Sequence, residues 1–521
     1  MTEADTDRRA DTLRRFHAAE RRRRAWDAIL DDAYAFALPH HDTVRAGAPG
    51  GARRDREIFD NTAVQAVQWR KSRLHGQLFP PFRPWMDFDA VETLAMDPET
   101  AADFEAHAAE VSHRFHAAIE ASNFHIEIDP ALGDALVSTG ALMVHEGSFA
   151  QPVRFEAIPA RELIPEESAG GMLSSMFRQR RLPARQIADV WPDALLTPDL
   201  ARLAAEAPDT DIELIEAVMA DQPGGPANYE VWCCDQPGAE GSNRLLQRDY
   251  AASPLIAFRM DKAPGEWMGR GPVLNVLADI KTANKVVELI LKNASIAVTG
   301  IWQAEDDGVL NPANIRLTPG TIIPKAVGSA GLTPLEAPGK FDVSQIVLAR
   351  LQDTIRSAIM GPELPPADQG VRTALEIGIR QQESAGRGTA HVAQAADRAG
   401  LSAGAAGAGD PLQPGHGRLA VPHRALPGRR RAGAGRRPTS PLVRMQEAAA
   451  AAEQQVAYAS AAQTFPDILG QVVDRPGYLR HFLKQSGFPA DYLAVQPPHD
   501  METSSADPMM AADGAHAAEG D

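Results

Sequence analysis

Histidines 107, 113 and 116 are the first residues whose types suggest chemistry, because imidazole is a common ligand for zinc and related metals. They lie six and three residues apart in AHAAEVSHRFH. Only His113 and His116 share a helical face and no HExxH accompanies them, so the set is short of ligands and reads as solvated helix surface. His40 and His41 precede Asp42 without a matching partner in sequence. Gly269-Arg270-Gly271-Pro272 has the look of a phosphate loop, but a dinucleotide fingerprint needs a third glycine and a Walker loop a Gly-Lys-Ser/Thr ending. Both are missing, which makes the stretch a turn into a helix. No Gly-x-Ser-x-Gly elbow occurs, and the carboxylates form no pattern that separates a catalytic pair from surface charge. Cys233 and Cys234 are adjacent in YEVWCCDQ, where strand alternation sends them to opposite faces as buried thiols rather than a redox or metal pair. The sequence offers no catalytic residues, no cofactor and no metal site.

Composition narrows the function classes further. The chain has 521 residues, room for several domains, and 44% hydrophobic residues to fill their cores. Its formal net charge of −17 repels phosphate backbones, which speaks against a tight nucleic-acid binder. The Arg21–Arg24 run reads as the solvated face of a helix, offset by Asp27, Asp31 and Asp32. The charged N-terminus lacks the apolar core of a signal peptide, and no stretch reaches ~18 uninterrupted apolar residues. These features predict a cytosolic chain without disulfides or a membrane anchor.

The elements that must position any function follow from periodicity. A first helix is predicted over residues 5–38, with Leu13, Phe16, Ala19, Trp26, Ile29 and Leu30 as its apolar stripe and Pro39 as its end. Asp60 is placed to cap a second helix carrying Ala63, Val67, Arg70 and Leu74, stopped by Pro80, Pro81 and Pro84. Phe79, Phe82, Trp85 and Phe88 then read as packing anchors. A helix from 98 to about 123 follows. Residues 150–260 read as strands around an inserted helical pair near 184–220, an α+β module. From Gly271 as N-cap and Pro272 as first helical residue, Val273, Val276, Leu277, Ile280, Ala283, Val287, Ile290, Ala294 and Ala297 recur at close to heptad spacing. That predicts one continuous helix of roughly 40 Å. Its opposite stripe holds Lys281, Lys285, Glu288, Lys292 and Ser295. A short strand-like segment after Gly300 and a helix from Asp342 complete a long hairpin with a small module at its tip.

This arrangement resembles the head-to-tail connector, or portal protein, of short-tailed bacteriophages. The resemblance is carried by WDAILDDAYAFALP, IFDNTAVQAVQWRKSRLHGQLFPPFRPWMDF, FEAIPARELIPEE, WMGRGPVLNVLADIKTANKV, LTPGTIIP and DRPGYLRHFLKQSGFPADYL, in the family's order over most of residues 20–495. It implies an α+β portal fold with a mainly helical wing and stem, a small α/β clip and a helical crown. By position, 1–149 resembles the helical wing, 150–271 its α+β module, 272–299 the first stem helix, 300–340 the clip and 341–360 the second stem helix. Residues 361–372 fall at the tunnel loop, 373–438 at a long wing helix and 439–495 at the crown, with 496–521 a disordered acidic tail. The family's role implies a dodecamer at the capsid vertex of the virion, assembled in the host cytoplasm. Double-stranded DNA passes its channel during packaging and ejection. Its partners are terminase, which hydrolyses the ATP, and capsid and tail or adaptor proteins. Candidate channel residues are Lys281, Lys285, Lys292, Gln369 and Arg372; candidate terminase contacts in the clip are Glu305, Asp306 and Asp307.

From Gly386 to Pro438 the pattern departs from the family: only Asp397 and Asp410 are acidic, Gly, Ala, Arg and Pro dominate, and helical periodicity disappears. Three readings compete, namely a disordered insertion, a basic DNA-contacting arm, or translation in the wrong frame between two compensating shifts, as in a decaying prophage. The last is favoured because the segment's length is kept while its chemistry is replaced. Two readings from other classes stand beside the connector: an enzyme with an unrecognised site in the 150–260 module, and a monomeric nucleic-acid binder using its arginine runs. If 361–372 is a tunnel loop, deleting Pro362–Gln369 spares assembly and impairs DNA packaging or retention, measured by packaged genomes per particle; normal packaging refutes it.

Overall fold

Alternating apolar residues between 139 and 260 build the centre of the molecule. This computed structural model describes residues 3–41, 57–90, 98–147, 151–167, 173–221, 225–234, 244–299, 302–304, 332–334, 341–361, 434–438, 454–464 and positions 473, 478, 479 and 482. The chain divides into two units, Met1–Gln446 and Glu447–Asp521. In the first, the chain runs through α1 (Glu3–Arg23), α2 (Asp27–Ala37), α3 (Thr62–Leu78), β1 (Met86–Ala90), α4 (Pro98–Glu120) and α5 (Phe124–Val137). Strands β2 (Thr139–Glu146), β3 (Val153–Ile158), β4 (Leu163–Glu167) and β5 (Leu173–Pro183) follow, then α6 (Gln186–Val190) and α7 (Pro198–Glu206). Next come β6 (Asp211–Ala220), β7 (Ala227–Cys233), β8 (Arg244–Tyr250), β9 (Leu255–Arg259), α8 (Pro272–Asn275) and α9 (Leu277–Thr299). The remainder is β10 (Trp302–Ala304), β11 (Leu332–Pro334), α10 (Phe341–Met360) and β12 (Ala434–Pro438). In the second unit residues 454–464 are helical, and the rings of Tyr458 and Tyr478 stack 4.8 Å apart.

The two main sheets are antiparallel, with orders β3-β2-β9 and β4-β5-β6-β7-β8. Alternation divides the smaller sheet between two cores. Ala141, Met143, Leu255 and Ala257 face one, while Leu142, Val144, Ile256 and Phe258 face the other. The first core is closed by the five-stranded sheet through Leu163, Met176, Leu214 and Tyr229, with Ile187, Trp191 and Leu200 of the inserted helices region. The second is the helical core of α2, α3, α5 and α8–α10. On its outer face the five-stranded sheet presents Ile164, Phe177, Ile215, Ala217 and Trp232 to Phe16 and Ala19 of α1. Each such large apolar side chain contributes about 1.5–3 kcal/mol by leaving water.

Several expectations hold in outline and change in detail. The first helix is interrupted by a 3-10 turn at Arg24–Trp26. Arg23 is not solvated: it is 4% exposed, donates to the carbonyls of Leu163 and Ala160 at 3.3 Å each and pairs with Asp27, while Arg21, Arg22 and Arg24 are exposed. Asn61 rather than Asp60 is the N-cap residue of α3, because the Asp60 carboxylate instead accepts from the Thr62 hydroxyl and Gln352. Residues 211–220, expected within the helical pair, form β6, whose alternating Ile212, Leu214 and Val218 fill the core. Cys233 is buried as expected, but Cys234, one residue on and facing the other way, is exposed.

The helix expected to run unbroken from Pro272 breaks at Val276 into α8 and α9. A straight helix would turn Leu274 away from the Val273, Leu277, Ile280 and Ala283 stripe; the break lets Leu274 enter the core as well. Phe82 is the clearest correction. Phe79 and Trp85 are buried and Phe88 half-buried, yet Phe82 is 88% exposed with φ +59°, a conformation that costs an L-residue about 1–2 kcal/mol. Beyond α10, residues 362–433, which contain the loop at 362–372 and most of the anomalous stretch, lie outside the described residues, as do 305–331 and the acidic tail. Of the anomalous stretch, Ala434–Pro438 is described: it pairs antiparallel with β1, Arg437 opposite Asp87.

Gly269 and Gly271 show what the glycines before α8 are for. The Gly271 N–H donates to Val137 O at 2.9 Å, and the Ser138 hydroxyl donates to Gly269 O at 2.9 Å. A Cβ on Gly271 would lie 2.0 Å from Leu136 O, and one on Gly269 2.3 Å from Ser138 O. With φ −76°, Gly271 needs no special backbone; it needs the absence of a side chain. Gly271→Ala is therefore expected to destabilise the fold by ~2 kcal/mol or more, read by urea unfolding; a change under 0.5 kcal/mol contradicts the packing role.

Candidate functional site

Helices α9 and α10 form the hairpin on which the candidate channel residues sit. Its base is clamped by polar contacts that periodicity does not reveal. Asn284 accepts from the Phe59 and Asp60 N–H groups at 2.7 and 3.0 Å and donates to Glu57 O at 2.8 Å. Arg70 of α3 donates to Met360 O at 3.2 Å, at the C-terminus of α10, where Gly361 turns the chain with φ +85°. Ile280, Ala283, Ile355 and Ile359 are buried against the helical core.

Farther from that core the two helices lose their cover. Leu289, Leu291, Ile346 and Val347 are all exposed, the last least so at 46%. Phe59, Trp69, Ile126 and Leu195 are exposed elsewhere, so the hairpin is one of several uncovered apolar places, and the one that carries four such side chains on two packed helices. The lysines are arranged differently from a basic stripe. Lys281 Nζ lies 2.7 Å from Asp32 of α2, while Lys285 and Lys292 both hold Glu288, at 2.9 and 2.6 Å. Hydrogen bonds from Lys292 and Lys285 push the Glu288 carboxyl below its ordinary value. These spacings of three and four residues are legible in sequence as helix ion pairs. All three lysines remain about half exposed or more, so they stay reachable by an anion that displaces the carboxylate. Gln369, Arg372, Glu305, Asp306 and Asp307 lie outside the described residues.

The 150–260 module holds a dense ionic cluster. Arg178 contacts Glu162 and Glu156 at 2.7 Å and Glu216 at 3.5 Å; Arg180 reaches Glu156 and Glu216 at 2.9 Å. His145 Nε2 lies 2.9 Å from Glu156, and the Tyr229 hydroxyl donates to Glu216 at 2.7 Å while accepting from Trp191 at 3.0 Å. Burial opposes ionisation of Glu156, but His145, Arg178 and Arg180 outweigh it and hold the carboxyl far below its usual range. Burial wins at Glu162 over Arg178 and pushes that carboxyl up. Arg178 itself is held protonated by its three carboxylates against the cost of burial. The cluster ties β3 to β5 and β6. Its groups are engaged with one another, which is the arrangement of a buried structural network.

The histidines find partners that sequence did not show. His116, expected to be solvated, is half-buried against Trp85 and 2.8 Å from Met86 O, and burial lowers its pKa. His41 lies 3.4 Å from Asp134, a buried carboxylate that also accepts from Tyr34 and the Ala160 N–H. His75 Nε2 and His125 Nδ1 are 3.0 Å apart. Among the described residues no group of three or more His, Cys, Asp or Glu is placed to hold a metal, and no helix is long and apolar enough to cross a membrane.

A sequence model described as bacteriophage head to tail connecting protein matches residues 9–387, nearly three quarters of the chain. The chain belongs to that family. The match to the connector model ends one residue past Gly386, where the composition changes. The connector is also similar to a chain in the solved structure "Neck of empty GTA particle computed with C6 symmetry", at 10% identity and TM-score 0.35, covering 85% of this chain and 96% of that one. So distant a likeness carries no argument. No curated protein matches the connector.

Arg178→Leu tests the ionic cluster of the connector. It leaves the buried Glu216 and the partly buried Glu156 and Glu162 short of a cation and is expected to cost about 3–5 kcal/mol at pH 7. Glu156, with its depressed folded pKa, contributes stability that is present above the unfolded carboxylate value of ~4.3 and is lost as pH falls below it. Glu162, raised when folded, works in the opposite sense and offsets part of this. The gap between wild type and variant therefore narrows from pH 7 to 3.5 in urea melts; a gap independent of pH refutes the assignment.

Proposed function

We propose that the connector assembles as a dodecameric ring at the capsid vertex of a short-tailed phage or its prophage relic. Its channel passes double-stranded DNA inward during packaging and outward during ejection. The observation that carries the reading is the family match over residues 9–387, with the uncovered apolar residues of the α9–α10 hairpin as its physical counterpart. In a ring, Leu289, Leu291, Ile346 and Val347 are covered by neighbouring hairpins, and α9 and α10 become the stem between wing and clip. Terminase docks at the clip, and the capsid and tail or adaptor proteins hold the ring in the virion.

Charge supports a passage rather than a grip. At −17 per chain the ring carries about −200 in formal charge, a repulsive field for a polyanion. Lysines 281, 285 and 292, each already paired to a carboxylate, would give transient phosphate contacts rather than tight ones. The segment 386–438 is proposed to derive from a shifted frame, a reading supported by the end of the family match at 387.

Negative-stain electron microscopy of the full chain is the test. Rings of about a dozen copies with an open centre are expected, and Leu289→Glu combined with Ile346→Glu is expected to disperse them while leaving the circular dichroism unchanged. Wild-type chains that stay monomeric at high concentration overturn the ring reading, while the family membership stands.

A further inference from the structure

Between α3, the end of α4 and the start of α5, three titratable side chains stand in a row. His75 Nε2 lies 3.0 Å from His125 Nδ1, with the rings 19° from parallel, and His125 Nε2 lies 3.3 Å from Glu120 Oε1. The row ends on backbone, because the same Glu120 oxygen accepts the Phe82 N–H at 2.9 Å. That N–H belongs to the strained residue of the 79–85 turn, at φ +59° and with its side chain 88% exposed. Phe79 and Trp85 are buried at the two ends of the turn and meet edge to face at 5.1 Å, while Pro80, Pro81 and Pro84 bring no N–H of their own. A left-handed residue is thus tied through a carboxylate to a pair of imidazoles.

The number of protons decides what the pair can do. A 3.0 Å contact between two ring nitrogens needs one proton, so that one nitrogen donates and the other accepts. Two neutral rings meet this condition, with His75 Nε2–H donating to His125 and His125 Nε2–H donating to Glu120. One added proton also fits. With the His75 proton on Nδ1, an imidazolium at His125 donates to His75 on one side and to the Glu120 carboxylate on the other, a charge-assisted bond that fixes the oxygen holding Phe82. A second added proton leaves no acceptor, and two cations then face each other at contact distance. The surroundings do not relieve them. Lys71, one turn before His75, and Asp129, one turn after His125, are paired at 2.6 Å and oppose each other's effect on His75. Glu127 is turned to the Ala157 N–H, Arg73 lies over Trp69, and Arg83 is exposed. Burial, followed by the charge of His125, holds His75 below its ordinary value, in keeping with a site that resists the second proton. We propose that His75 and His125 form a proton-operated clamp on the Phe82 turn, which holds at neutral pH, tightens with the first added proton and opens with the second. The proposal is independent of the ring reading above.

The test is amide hydrogen exchange of the full chain, read by mass spectrometry and corrected for the intrinsic effect of pH. A peptide over 79–85 carries few amides besides that of Phe82, since three of its seven residues are proline. Its protection is expected to hold or rise from about pH 7.5 to about pH 6 and to fall about tenfold or more by about pH 4.8, while the amides of 131–137 in α5 stay protected. His75→Gln takes no second proton, and its side-chain carbonyl still accepts from His125, so the variant is expected to lose the fall. Protection that is flat with pH in the wild type overturns the clamp, as does a fall that survives unchanged in His75→Gln. A fall shared by the 131–137 amides is general acid unfolding and overturns it too.

Discussion

The position of the α9–α10 hairpin depends on one place where backbone crosses backbone with no room for a side chain. Residues 269–271 run against the corner between α5 and β2, held by the Gly271 N–H on Val137 O, the Ser138 hydroxyl on Gly269 O and the Gly269 N–H on the Thr139 hydroxyl. Ser138 and Thr139 are wholly buried there. α8 starts directly from this crossing, so the direction in which α8 and α9 set out is fixed by contacts to a strand of the central sheet. The glycines that resemble a phosphate loop thus serve a mechanical junction.

Around that junction the ionic contacts divide by burial. Arg178 and its carboxylates sit inside the α+β module, where removing one partner strands the rest. Lys285, Glu288 and Lys292 lie on an exposed helix face, where such pairs contribute little to stability but govern which cations are available. The first set fixes strand registration; the second tunes a surface. The arginine run at 21–24 spans both behaviours, since Arg23 is drawn into the fold while its neighbours remain outside.

Helices and strands with regular apolar spacing were legible in the sequence: α3, α10, the course of α9 apart from the break before it, and the strands of the two main sheets other than β6 follow from periods of 3.6 and 2. The connector family was legible too, from an ordered set of motifs rather than from any one. What escaped were contacts between residues far apart in the chain. Nothing local says that Asn284 will satisfy the backbone of residues 57–60, or that Asp60 will give up the cap of α3 to meet Gln352. Phe82 was misread because hydrophobicity alone assigns an aromatic to a core. The signal against that assignment was its place among three prolines, which fix a turn and leave the side chain little freedom to fold inward. The β1–β12 pair was missed for the opposite reason, because AGRRP has neither the alternation nor the residue types of a strand.

The central sheet, buried on both faces, has a consequence of its own. Because β2 supplies alternate residues to two cores, neither core can be lost without exposing half of a strand that the other still needs. The module and the helical bundle are therefore coupled as one cooperative load-bearing body. A pull on the hairpin reaches the five-stranded sheet through side chains of a strand packed on both faces, so it loads both cores together rather than one alone.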